Sequence, residues 1–228
     1  MQPYFFPYIG YWQLINAVDK FVIYDDVNYI KRGWINRNNI LVNGEEKLIN
    51  LRIRRASQNK LINELEVVND GIYNNYQLKV IKASYCHAPF FNNVFPLVER
   101  VIRQKEDNLS TYLENSIKEV CKYLSIDTEI IISSEISKSN ELKGKDKIIE
   151  ICKQLSADQY LNAIGGQFLY SSPDFQLCGI ELKFLKTLDI TYPQTNKEKF
   201  VPNLSILDIM MFNSPEQIKS MLEDYELI

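Results

Sequence analysis

The chain has 228 residues, enough for one large α/β domain or two small ones, and its composition, 46% hydrophobic and 24% charged, is that of a globular protein. A formal net charge of −3 argues against a general nucleic-acid binder. The apolar runs are too short to span a membrane, and the N-terminus has no basic flank and is broken by prolines, so neither a membrane span nor a signal peptide is expected. Cys86, Cys121, Cys152 and Cys178 are scattered without a CxxC pair, which fits reduced thiols in a cytoplasmic protein.

In chain order, Met1 to Tyr11 reads as a short strand through Phe5 and Phe6, stopped by Pro7, with a loop that opens a helix at Gly10. Trp12, Leu14, Ile15 and Val18 give that helix its periodicity. Phe21 to Tyr24 forms a second strand ending in Asp25-Asp26. Such a strand-helix-strand opening is the first unit of an open, mostly parallel sheet, and these sheets bind ligands at the carboxyl ends of their strands. Residues 27–34 make a polar-aromatic loop. Asn43-Gly44 between apolar runs marks a hairpin.

Residues 55–70 read as irregular, with a turn at Asn69-Asp70-Gly71. Helices follow, with Asn108 among the candidate caps. Strands are expected at 129–132, 159–161 and 180–184, a helix around Ile148 to Leu155, and two closing helices near 205–212 and 216–225. The pattern predicts a nucleotidyltransferase- or Rossmann-like α/β sheet carrying a β-hairpin and a helical insertion. One domain over 1–228 is expected, with 72–125 a candidate helical subdomain.

QPYFFPYIGYWQLI, VDKFVIYDDVNYIKRGWINRN, GKDKIIEICKQLSADQYLNAIGG, GIELKF and YPQTNKEKFVPNLSILDIM together resemble the WbqC-like family of bacterial surface-polysaccharide gene clusters. The resemblance runs from Met1 to about Asn213. It implies a role in O-antigen (lipopolysaccharide) synthesis, with glycine or another acyl group transferred to the amine of a nucleotide-linked amino sugar. The partners implied are that sugar and an acyl donor. The donor stays open between an adenylate made from ATP with Mg, a charged tRNA and a thioester.

Several residues are candidates for that chemistry. Tyr8-Ile9-Gly10-Tyr11 occupies the place of the H-x-G-H loop of pantothenate synthetase-type enzymes, with both histidines replaced by tyrosine. Gln2, Gly10 and Tyr11 are therefore expected to bind substrate and Tyr8 to orient phosphates. Lys31, Trp34, Asn36 and Arg37 suit a nucleotide diphosphate, the ring stacking and the cations pairing. Asp25 is read as a ligand contact and Asp26 as a base. His87, the sole histidine, is the other candidate base for an attacking amine.

Asn162, Gly165 and Gly166 follow a strand and suit an anion. Gln194 and Asn203 are contact candidates in loops without an evident structural duty. No metal ligand set is assigned. The bland alternatives are packing rings, capping aspartates and a solvated basic loop. The missing H-x-G-H histidines favour a second reading, a nucleotide- or nucleotide-sugar-binding partner of a glycan-synthesis enzyme, without catalysis.

Overall fold

The computed structural model describes residues 1–139, 141–195 and 199–228, so Asn196 to Glu198 of the last resembling motif lie outside the described residues. Among the described residues the chain is a mixed α/β protein with its strands in small sheets. Helix α1 (Ile9–Asn16) is buried on nearly every side, from Ile9 to Ile15, so it is a core helix and not a surface one. Strand β1 (Lys20–Ile23) follows it. Strands β2 (Arg37–Val42) and β3 (Glu45–Asn50) form the expected hairpin. Its turn residues Asn43 and Gly44 both have positive φ, 52° and 82°, the backbone that the right-handed strand twist demands of a two-residue turn.

The stretch read as irregular contains the short pair β4 (Ile53–Arg54) and β5 (Glu66–Val67). Arg54 pairs with Glu66 and Arg52 with Asp70, both in surface ion pairs. Helix α2 (Gly71–Tyr85) starts where the turn was expected, because Asp70 accepts the amides of Ile72 and Tyr73 at 2.9 and 3.2 Å. Helices α3 (Phe91–Arg103) and α4 (Leu109–Leu124) complete the helical stretch, and Asn108 caps α4.

Strand β6 (Glu129–Ile132) pairs parallel with β1. Helix α5 (Gly144–Gln154) leads to β7 (Gln159–Ala163). Helix α6 (Ser172–Gln176) leads to β8 (Glu181–Thr187), parallel to β7. Helices α7 (Ile206–Phe212) and α8 (Pro215–Met221) precede β9 (Tyr225–Leu227), which runs antiparallel to β8.

Two expectations are corrected. Phe5 and Phe6 are not a strand: Phe6 has φ +43°, because its carbonyl is held by Asn38 Nδ2 at 2.9 Å and Ser205 Oγ at 2.8 Å. The parallel strands form two separate pairs, β1–β6 and β7–β8, and not one continuous open sheet. The buried apolar side chains divide in the same way. The larger cluster gathers α1–α4, α7 and the opening residues, and the smaller one gathers Ile148, Cys152, Phe175, Ile180, Leu182 and Phe184. A cavity of about 470 Å³ lies between β1 and β7.

Candidate functional site

The carboxyl ends of β1 and β6 bring together the most unusual polar groups of the molecule. After Ile23 come Tyr24, Asp25 and Asp26; after Ile132 come Ser133 and Ser134. Asp25 is 1% exposed and accepts from Ser134 N at 3.0 Å, Ser134 Oγ at 2.7 Å and Ser110 Oγ at 3.2 Å. With both oxygens engaged it fastens the two strand ends and α4 together. Three of its acceptor positions are taken up in this fastening.

Asp26 is different. Its oxygens accept from Ser133 Oγ at 2.7 Å, Lys138 Nζ at 2.9 Å and Lys147 Nζ at 2.9 Å. The side chains of Lys138, Lys147 and Asp26 are only 2%, 9% and 11% exposed, so water screens them little. Two cations face the Asp26 carboxylate, and the buried Asp25 carboxylate at the same strand end brings the corner to formal balance. Burial alone would raise the Asp26 pKa, but hydrogen bonds from Lys138, Ser133 and Lys147 outweigh it and hold the carboxyl below its ordinary range.

Lys138 directs its other hydrogens to the carbonyls of Ser133 and Ile136. Lys147 also donates to the Asp26 carbonyl at 2.7 Å, and its ammonium stands 5.1 Å from the centre of the Tyr24 ring. Burial, then the nearby Asp26 and Tyr170, push the Tyr24 hydroxyl pKa up, so it stays a neutral donor. As a proton acceptor Asp26 is poor, being already committed to two ammonium groups.

The loop before α1 is clamped from several directions. Besides the two bonds to the Phe6 carbonyl, the Pro7 carbonyl accepts from Trp12 Nε1 at 3.0 Å and from the Ile206 amide at 3.0 Å. Tyr8 lays its ring across Gly10, where an added Cβ would stand 2.6 Å from the Tyr8 hydroxyl and from Thr187 Oγ1. Burial raises the Tyr8 pKa, opposed by its hydrogen bond with Thr187. Gly10 thus makes room for a Tyr8–Thr187 contact across the end of β8. Gly10→Ala is expected to displace Tyr8 and destabilise the protein by about 1–3 kcal/mol in urea unfolding. A loss under about 0.5 kcal/mol would mean that the ring swings away freely.

At the end of β7, Asn162 Oδ1 accepts the Ala163 amide at 2.8 Å, and Asn162 Nδ2 lies 2.4 Å from where a Gly166 Cβ would be. Gly166 is required by that close approach. Gly165 has open space around it.

A second cavity, about 450 Å³, lies beyond the end of β8 and is lined by Ile9, Thr187, Asp189, Tyr192 and Asn203 among others. Asn203 is exposed, with φ 59°. Gln194, near in sequence to this lining, is engaged in the protein's own hydrogen bonds. It is 8% exposed, exchanges two hydrogen bonds with Val201 and donates to Asp208 Oδ2 at 3.1 Å. Asp208, fully buried, also accepts from Tyr85 Oη at 2.8 Å, and burial keeps its pKa raised despite these bonds.

The remaining candidates are dispersed. Tyr11 is fully buried, its ring packed against Tyr4, Trp12 and Phe21 and its hydroxyl on the Gln2 carbonyl at 3.0 Å; it is a core residue, not a ligand contact. Gln2 is half-buried beside it. Asn36 is engaged with Tyr29 Oη at 2.8 Å and the Leu51 carbonyl at 2.7 Å. Arg37 donates to the Gly33 carbonyl at 2.9 Å and sits 5.8 Å from the Trp34 ring centre, closing its own loop. Lys31 and Trp34 on that loop are exposed.

His87 is exposed in the turn between α2 and α3, lines neither cavity and has no contact with the lysine–aspartate cluster. Sequence reasoning missed Lys138, Lys147, Ser133 and Tyr24. The signal for Lys147 was present: it falls four residues before Ile151 and eight before Leu155, on the buried face of α5. Among the described residues no group of three or more His, Cys, Asp or Glu is placed to hold a metal ion. None of their helices is long and apolar enough to cross a membrane.

No solved structure matches the chain. It is 24% identical over 213 residues to the uncharacterized protein Rv1507c of Mycobacterium tuberculosis, covering 92% of this chain and 90% of that protein. The profile of the WbqC-like protein family matches residues 2–220, nearly the whole chain and every element that builds the strand-end cluster. The chain therefore belongs to the WbqC-like protein family.

Proposed function

We propose that the protein is a cytoplasmic transferase of surface-polysaccharide synthesis that joins a glycyl or other acyl group to the amine of a nucleotide-linked amino sugar. The amine nitrogen bonds to the acyl carbon, the donor's leaving group departs with its electron pair, and the nitrogen loses a proton. The pathway rests on the family resemblance. The binding site rests on one observation, the buried Asp26–Lys138–Lys147 cluster at the carboxyl ends of β1 and β6. A sugar-nucleotide diphosphate is the anion that suits it, with Lys147 the cation that stands over the Tyr24 ring.

The test is a thermal-shift titration with UDP-, dTDP- and GDP-linked amino sugars, with and without magnesium. One of them is expected to raise the melting temperature by several degrees. Lys147→Met, which leaves a neutral Asp26–Lys138 pair, is expected to weaken that ligand about 10- to 150-fold. Absence of a shift with every ligand would overturn the site. A mass gain of one acyl group on the bound sugar, after an acyl donor is added, would establish the transfer.

A second reading, nucleotide-sugar binding without chemistry, has its own observation. His87 stands apart from the cluster and Asp26 is held as an anion by two lysines, so the cluster carries no unengaged base. Binding without any mass gain for every donor class would favour it.

A further inference from the structure

The cavity of about 450 Å³ beyond the end of β8 carries one sign of charge. Among the described residues that line it, Asp189 is ionisable and negative, and none is a lysine, arginine or histidine. Most of the remaining lining is apolar, with two aromatic rings, Tyr192 and Phe200, and the polar residues Thr187, Thr191 and Asn203.

Tyr192 connects this lining to a second negative group. It is a hydrogen-bond partner of Asp208, which is fully buried and is approached by neutral donors. Gln194 Nε2 can only donate, and it stands 3.1 Å from Asp208 Oδ2. Tyr85 Oη lies 2.8 Å from Oδ1 and itself accepts the Leu41 amide at 3.1 Å, so its own hydrogen is left for Asp208. Tyr192 Oη accepts from Gln194 Nε2 at 3.2 Å, so its hydrogen is likewise left for Asp208. Three inward hydrogens suit a carboxylate, which only accepts, and offer a protonated acid no acceptor for its own hydrogen.

Asp26 shows how this chain balances a buried carboxylate from its own residues, with two lysine ammonium groups at 2.9 Å. Asp208 and Asp189 have no ion pair among the described residues. Burial is what raises the Asp208 pKa, and a cation close by offsets that penalty. The field of a carboxylate set in a buried wall reaches a cavity with little screening. The two rings add to it. Tyr192 and Phe200 meet edge to face, their centres 5.2 Å apart, and aromatic faces attract cations.

We propose that this cavity binds an organic ammonium ion, a positively charged nitrogen on a small, partly apolar body, which supplies the counter-charge for Asp189 and Asp208. The apolar lining takes the carbon body, and Thr191 and Asn203 can accept hydrogens from the nitrogen. An anion would meet only negative charge here. A metal ion fits less well, because among the described residues no three His, Cys, Asp or Glu side chains converge. The cavity shares no residue with the Asp26–Lys138–Lys147 cluster, and the inference does not depend on the transfer reaction proposed above.

The experiment titrates tert-butylammonium chloride, its neutral isostere tert-butanol, and sodium chloride separately into the ¹⁵N-labelled 228-residue chain at pH 7, followed by amide NMR. The ammonium is expected to shift the amides from Thr187 to Tyr192 and those of Asn203 and Leu204, with a Kd of about 1–10 mM. It is expected to bind about tenfold more tightly than tert-butanol. Asp189→Asn is expected to weaken the ammonium about three- to fivefold and to leave tert-butanol unchanged.

Asp208→Asn is expected to weaken the ammonium about tenfold. Should that variant fail to fold, the isostere pair and Asp189→Asn carry the test. Equal affinity for the two isosteres would assign the cavity to uncharged apolar ligands and overturn the proposal. Shifts that sodium chloride reproduces, or no shift at these amides up to about 100 mM, well above the expected Kd, would also overturn it. So would an ammonium affinity unchanged by Asp189→Asn.

Discussion

Asp26→Asn is expected to destabilise the protein by about 3–5 kcal/mol, because it leaves two ammonium groups in a nearly dry corner without their counter-charge. Lys138 and Lys147, at 2% and 9% side-chain exposure, have no room to turn into water without dismantling the ends of β1 and β6. An asparagine oxygen still accepts one hydrogen bond, so the loss is electrostatic and not steric. The contrast with Lys147→Met makes the argument specific. That change leaves one carboxylate with one ammonium and is expected to cost less than about half as much. Urea unfolding of the three proteins decides it, and equal losses for the two variants would show that the cluster is held by packing and not by charge balance.

The same group gives a pH signature. The folded-state pKa of Asp26 is depressed, so its contribution is present above the unfolded carboxylate's titration, near pH 3.9, and is lost as pH falls through the lower folded value. Acid should therefore reproduce the Asp26→Asn defect in the unaltered protein.

Between pH 5 and pH 8 the chain, made with a free Met1 amine, is expected to gain about 4 kcal/mol of stability. The amine titrates at 8.0 when unhindered and at about 5 when folded, because burial disfavours the ammonium. The unfolded chain binds the extra proton throughout that window, so stability rises with pH and levels off above the unfolded value. Acetylating Met1 removes the titration and should flatten this part of the curve. An identical slope for free and acetylated chains would mean that the amine reaches water in the folded protein.

Most elements were legible because their signals are local. Asn43-Gly44 fixes the hairpin through two positive-φ positions, and Asn108 caps α4 through a side-chain oxygen that accepts the amide two residues on. The alternation of Ile180, Leu182 and Phe184 survives as the buried face of β8 and the residue before it.

What failed was non-local. Phe5-Phe6 has the composition of a strand, but Asn38 and Ser205 impose a different backbone on it. Asp25 and Asp26 look equivalent in sequence. Only the fold separates them, by giving one three serine contacts and the other two lysines. Tyr11 and Gln194 lost their candidate roles to burial, which a loop's polarity does not foretell. Lys147 was readable as a lysine on an apolar helix face, but its partner lies 121 residues away.

The clamp on Phe6 also bears on how the chain is made. A bulky residue at φ +43° is disfavoured by about 1–2 kcal/mol on its own and keeps that shape only while its carbonyl is held. One clamp, Ser205, is 199 residues downstream, and the neighbouring Pro7 carbonyl is held by Ile206. During synthesis a loop that leaves the ribosome 199 residues ahead of its clamp is thus among the last parts to take its final form. A nascent chain stalled before residue 205 can pair its local hairpin and cap its helices, but the opening of α1 is completed only when nearly all of the polypeptide has emerged.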